Sequence, residues 1–177
     1  MNIESIFIYL FIFLISIICI FLSEHLSKKF FISQGLTICG IFVICILAAV
    51  RDPSVGTDVK LYLLPNYNYI INTKIEFWKL FDSLPMDVEP FFSILIYVTA
   101  KLGNFQFLCF IIEFLVICPV LYILKKEREY VSVTLGYTMF LFLFYNFSLS
   151  GMRASISMSF FLLASYLGYK KNFKYSY

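Results

Sequence analysis

Long apolar stretches constrain this sequence more than any motif in it does. Crossing the hydrocarbon core of a bilayer takes about 20 residues of helix, and the runs at 5–22, 31–50, 105–124, 131–149 and 152–169 each approach or reach that length. A further, shorter run covers 90–102. Hydrophobic residues make up 61% of the 177 and aromatic residues 20%, a share well above that of soluble domains. The sequence therefore predicts an all-α, polytopic transmembrane helix bundle, a single membrane domain over 1–177, with about five spanning helices.

The short run sets the topology. Pro90 suits a first helical position and Gly103 the residue after a helix end. A helix of roughly 13 residues is typical of a re-entrant or interfacial segment, and 90–102 is read as not crossing. With that choice Lys28 and Lys29, then Lys125, Lys126 and Arg128, then Lys170, Lys171 and Lys174 all fall on the cytoplasmic side, as the positive-inside tendency requires. Lys101 is left at the outer interface, where a lysine snorkels. The run from Ser5 follows Glu4 instead of a basic stretch and has no small-residue cleavage site before Ser23. It reads as an anchor and not as a signal peptide, with the N-terminus outside.

The stretch 51–89 is then an outer loop. Thr73-Lys74-Ile75-Glu76 fits a capping box, followed by Ile75, Trp78 and Phe81 on one side of a short amphipathic helix lying flat at headgroup depth. Tyr62, Tyr67 and Tyr69 fit the same interface. Aromatic faces also stack on sugar rings, and composition alone does not choose between the roles.

Polar residues concentrate at helix ends. The second run closes on Arg51-Asp52-Pro53, and Gly56-Thr57-Asp58 follow, with Gly56 free to adopt a turn and Asp58 placed to cap a segment from Val59. Arg153 opens the last run. Two guanidiniums on one face match the oxygens of a diphosphate, while anchoring at lipid headgroups is the plainer role for each. Gly151, Ser155 and Ser159 form a small-residue stripe suited to helix packing. Glu113 lies mid-run, where a carboxyl is costly; it is hydrogen-bonded to a neighbour or belongs to an ion pathway. The five cysteines all lie in apolar runs without a CxxC pair, so neither a disulfide nor a metal site is expected. His25 lies in a loop. There is no Gly-rich phosphate loop, Ser-His-Asp set, HExxH motif or repeat, and nothing points to a cofactor or to nucleic acid.

Taken in order, Arg51, Gly56-Thr57-Asp58 and Tyr62, Glu89-Pro90-Phe91-Phe92, Asn104-Phe105-Gln106 and Gly151-Met152-Arg153 resemble the EpsG family of Wzy-type polysaccharide and O-antigen polymerases. The resemblance runs from Val50 onward. It implies a multi-pass protein of the bacterial inner membrane that joins undecaprenyl-diphosphate-linked oligosaccharide repeat units in exopolysaccharide, capsule or O-antigen synthesis. Family members commonly carry Arg-Gln where this chain has Arg153-Ala154, and run to about twice this length. The resemblance thus covers their N-terminal half and implies a truncated or split polymerase, with a C-terminal half or other assembly proteins as partners; such a fragment need not be active alone.

In a glycosyltransferase reaction of this kind charge grows on the departing diphosphate, where pre-placed guanidiniums act, and the acceptor hydroxyl loses a proton to a carboxylate. The candidate catalytic residues are Arg153 and Arg51 for the first task and Asp58 and Glu89 for the second. Two other readings stay open: a transporter or flippase subunit, which Glu113 would serve, and a non-catalytic membrane assembly partner.

Overall fold

The computed structural model describes the backbone at 3–53, 56–73 and 75–174. Ser54 and Val55 of the 51–58 motif, Lys74 of the expected capping box and the side chain of Lys174 lie outside the described residues. The described chain is an all-α bundle, without a strand among these residues. Its helices are α1 (Ile3–His25), α2 (Phe30–Val50), α3 (Leu64–Thr73), α4 (Leu80–Ser83), α5 (Pro90–Leu102), α6 (Phe105–Lys126), α7 (Val133–Leu143), α8 (Tyr145–Ser150) and α9 (Met152–Lys174). A π-helical turn, Val59–Leu63, leads into α3, and a 3-10 turn, Phe77–Lys79, leads into α4.

Three of these, α1, α2 and α6, are long and apolar enough to cross a membrane; α5 and α7 are shorter apolar helices. Phe7, Phe11, Phe31 and Phe161 stand on the outside of the bundle, an arrangement stable against lipid and costly in water. The protein is a membrane protein. α6 is the most enclosed of the three long helices and packs against α2, α5, α7 and α9. Pro119 stands inside α6 without ending it, as neighbouring helices in a membrane bundle allow.

Hydroxyls join the helices where apolar contact alone would not fix register. α1 and α2 approach closely at Gly40, where a Cβ would lie 3.3 Å from Ser16 O. Ser16 Oγ donates to Gly40 O at 2.8 Å and lies 2.8 Å from the buried Tyr137 hydroxyl of α7. The serine has one proton, so Tyr137 is the donor in the second bond. Glu24, near the end of α1, accepts from the backbone N–H groups of Val133 (3.0 Å) and Thr134 (2.9 Å). A carboxylate thus closes the positive end of α7.

Two local expectations take a different form. The run 131–149 divides at Phe144 into α7 and α8, although no proline marks the place. Tyr145 is fully buried, meeting the Phe13 ring edge-on at 5.1 Å and directing its hydroxyl at Ile44 O at 3.4 Å; α8 begins on these contacts. The capping box does not form: Thr73 ends α3 and its hydroxyl donates back to Tyr69 O at 2.6 Å. In the short helix beyond it Leu80 is buried, while Trp78 is 85% exposed, so the expected aromatic stripe faces outward. Phe77 meets Tyr97 of α5 at 5.6 Å.

Candidate functional site

Arg51, Thr57 and Asp58 reach the junction between α8 and α9, and each meets a backbone group that a helix end leaves open. α8 ends at Ser150, so its last carbonyls need donors. Arg51 Nη1 donates to Leu149 O at 2.8 Å, and Thr57 Oγ1 donates to Ser150 O at 3.3 Å. A guanidinium is also the charge favoured at the negative end of a helix. Gly56 has φ +103, and a Cβ there would lie 2.4 Å from Leu149 O. Only glycine combines that angle with that approach.

α9 begins at Met152, and its open N–H groups need acceptors. Asp58 supplies one: its Oδ2 accepts from the Arg153 backbone N–H at 3.2 Å. Asp58 does sit at the N-terminal boundary of the Val59 turn, but makes no side-chain cap bond to it; the helix it caps is the one that carries Arg153. The same oxygen lies 3.9 Å from Arg153 Nε.

The Arg153 side chain is 22% exposed and held from three directions. Its guanidinium lies over the Tyr62 ring, 4.0 Å from the centroid. Its Nη1 is 3.3–3.4 Å from both carboxylate oxygens of Glu89, and Asp58 stands beside Nε. Glu89 occupies the N-terminal boundary of α5, where its carbonyl accepts from Ser93 N at 3.0 Å. Its approach is fixed from α3: buried Asn66 both donates to Met86 O and accepts from Met86 N, each at 3.1 Å. Nearby, Tyr67 directs its hydroxyl at Gly103 O at 3.4 Å, and burial raises its phenol pKa.

Arg153, Asp58 and Glu89, chosen on sequence from three separated segments, thus meet at one point. Arg51 reaches the same junction from its inner side. Besides Leu149 O it donates to Met152 Sδ at 3.6 Å and reaches the Cys109 thiol on α6. It is turned into the bundle rather than spread on the outer rim. The Nε atoms of Arg51 and Arg153 are buried and find no hydrogen-bond partner among the described residues.

One turn deeper along α6, Glu113 is fully buried. Ser148 Oγ lies 3.0 Å from both of its carboxyl oxygens and 2.7 Å from Tyr145 O. This serine is the hydrogen-bonding neighbour expected for a mid-run carboxyl, and Arg51 lies within electrostatic range. Sequence reasoning missed Tyr62 as the surface on which Arg153 rests, Asn66 as the residue placing Glu89, and Glu24 as the cap of α7. An aromatic eleven residues after an arginine gives no hint of stacking on another arginine ninety residues later.

A helical membrane bundle with an arginine and carboxylate cluster at one end defines a class of embedded proteins with a charged site facing out of the apolar core. The EpsG family model matches residues 35–177, which takes in every residue of this cluster, and the chain belongs to that family. Membership points to a role like that of a polysaccharide polymerase. No curated protein and no solved structure matches the chain.

Proposed function

We propose that the protein acts in the polymerisation of lipid-diphosphate-linked oligosaccharide repeat units at the outer face of a bacterial inner membrane, with the Arg153 cluster as the diphosphate site. The observation that carries this reading is the unequal hold on Arg153. The bond to Asp58 involves backbone and a largely enclosed carboxylate, whereas Glu89 is 63% exposed. An exposed ion pair contributes only about 0–1 kcal/mol, so a diphosphate, with more charge and more oxygens, displaces Glu89 at little cost. Asp58 and Tyr62 keep the guanidinium oriented during the exchange.

The chemistry follows from that exchange. The bond between the sugar's anomeric carbon and the diphosphate oxygen breaks, a bond to the acceptor hydroxyl forms, and the electron pair leaves on the lipid diphosphate. Arg153 stabilises the charge that grows there. The displaced Glu89 carboxylate takes the acceptor proton. Asp58, bound to the Arg153 N–H, serves as a positioning residue, and Arg51 holds the α8–α9 junction while adding positive field from the inner side.

The topology belongs to the same proposal: α1, α2, α6, the α7–α8 pair and α9 cross, α5 dips and returns, and the N-terminus lies outside. A reporter fused near Lys126 should then report a cytoplasmic position, and an external signal overturns the topology. For the chemistry, Arg153→Ala should shorten the polymer made in cells while the protein still reaches the membrane. Tyr62→Phe should keep the stacking face and the product length, and Tyr62→Leu should shorten it. Full-length product from the Arg153→Ala protein would refute the assignment.

A further inference from the structure

The end of the bundle away from Arg153 holds a cavity of about 760 Å³ lined by polar and apolar side chains. It lies between the α1–α2 turn and the C-terminal end of α6. Its lining changes character with depth. Lys125, Lys126 and Arg128 stand at the mouth, facing Ser33, Gln34 and Thr37 of α2. One turn further into the bundle come Leu121 on α6 and Ile41 on α2, and Cys118 lies about two turns in.

The mouth is a prepared positive site. Buried Ser23, Ser33 and Thr37 bond to one another, with Ser23 Oγ 2.7 Å from Thr37 Oγ1 and 3.0 Å from Ser33 Oγ. Lys125 Nζ donates to Thr37 Oγ1, a neutral partner, and Arg128 acts on Lys125 as a like charge at short range. Among the described residues no carboxylate lies within ion-pair distance of Lys125, Lys126 or Arg128. The acidic groups nearby are engaged or peripheral. Glu24 accepts from the start of α7, Glu127 binds Lys170 at 2.9 Å, and Glu129 is exposed on the rim. Glu24 and Glu129 line the cavity as well, but neither forms an ion pair with the three cations; positive charge is in excess there, and an anion relieves the repulsion within it.

We infer that this cavity binds the phosphate headgroup of an anionic phospholipid, with its oxygens at Lys125 and Arg128 and the upper part of its acyl chains against Leu121, Cys118 and Ile41. The amphipathic depth profile selects a lipid over free phosphate: both satisfy the cations, but only a lipid covers the apolar floor. The site is separate from the Arg153 cluster, and its presence does not depend on the reaction proposed there.

The test is native mass spectrometry of the whole purified chain in detergent, titrated with phosphatidylglycerol, phosphatidylcholine or inorganic phosphate. Phosphatidylglycerol should bind roughly tenfold or more tightly than phosphatidylcholine, since a juxtamembrane cation contributes about 1 kcal/mol. Lys125→Gln with Arg128→Gln should remove that preference, while Lys28→Gln with Lys29→Gln, on the neighbouring turn, should leave it. Leu121→Trp, which fills the floor and touches no charge, should weaken phosphatidylglycerol as well; circular dichroism confirms that each variant is folded. Equal binding of the two lipids, or an unchanged preference in the Lys125 and Arg128 variant, overturns the inference. Inorganic phosphate that displaces phosphatidylglycerol completely, with Leu121→Trp silent, assigns the cavity to free phosphate and overturns it also.

Discussion

Asp58 accepts the backbone N–H of Arg153 at 3.2 Å while the same oxygen stands 3.9 Å from that residue's Nε. One carboxylate therefore closes the first turn of α9 and sets the direction in which its arginine leaves the helix. Stability and orientation are coupled through a single atom, and a change at Asp58 separates them only if the acceptor is kept while the charge is removed.

Asp58→Asn keeps an acceptor for the Arg153 N–H; Asp58→Ala does not. Loss of an N-terminal cap costs about 1 kcal/mol, so the alanine protein should melt at lower temperature in detergent than the asparagine protein. Product length in cells should fall in both, because each loses the charge beside Nε. An Asp58→Ala protein with the stability and product of the wild type would remove Asp58 from both roles.

Gly56→Ala should be more damaging than its half-buried position suggests. The added Cβ would lie 2.4 Å from Leu149 O at a φ of +103, and a non-glycine residue held in such a region costs on the order of 1–3 kcal/mol before the clash is counted. The latch of Arg51 and Thr57 on the same turn should loosen with it. Thermal unfolding in detergent checks this, and an unshifted midpoint would mean that the 51–58 segment does not grip the junction.

The sequence carried some of this plainly. α1, α2 and α6 follow from apolar length, since nothing else in a bilayer satisfies that many consecutive backbone groups. Pro90 and Gly103 bound α5 where a fixed φ and a missing Cβ place them. Arg51, Asp58, Glu89 and Arg153 stand out as charges near the ends of apolar runs away from the lysine clusters. Their wiring was not legible. That Asp58 caps α9 instead of its own turn depends on how segments 95 residues apart pack, and local spacing holds no record of it. The same is true of Glu24 on α7 and of the division at Phe144, which Tyr145 enforces by inserting between distant helices.

Outside the apolar helices, Glu127 offers a pH readout. The Tyr166 hydroxyl, then the Lys170 ammonium, hold its carboxyl below the ordinary range. A carboxylate with a lowered folded-state pKa stabilises the fold above its unfolded value, about 4.3, and loses that contribution as pH falls through the folded value. The difference in melting midpoint between wild type and Glu127→Gln should be open near neutral pH and close on acidification below about 4. A difference constant across that range would mean that the contacts of Glu127 do not depend on its charge.

Glu113 separates polymerisation from transport. Its carboxyl oxygens both lie 3.0 Å from Ser148 Oγ, which is 2.7 Å from Tyr145 O. The single serine proton serves only one of these acceptors at a time. Glutamine keeps the shape and supplies an N–H to Ser148 Oγ, freeing the serine proton for Tyr145 O, so Glu113→Gln should leave the α6–α8 contact intact. In the reading favoured here, product length is then preserved while Arg153→Ala shortens it. Glu113→Leu removes the hydrogen bond between α6 and α8, leaving the serine proton to Tyr145 O, and should lower the melting midpoint modestly, a buried hydrogen bond contributing about 0.5–1.5 kcal/mol net. The reverse pattern, loss of activity in a stable Glu113→Gln protein with Arg51 and Arg153 substitutions silent, would make the buried carboxyl part of an ion pathway. The cluster around Arg153 would then be structural, because neutralising a proton carrier stops transport even where packing is unchanged.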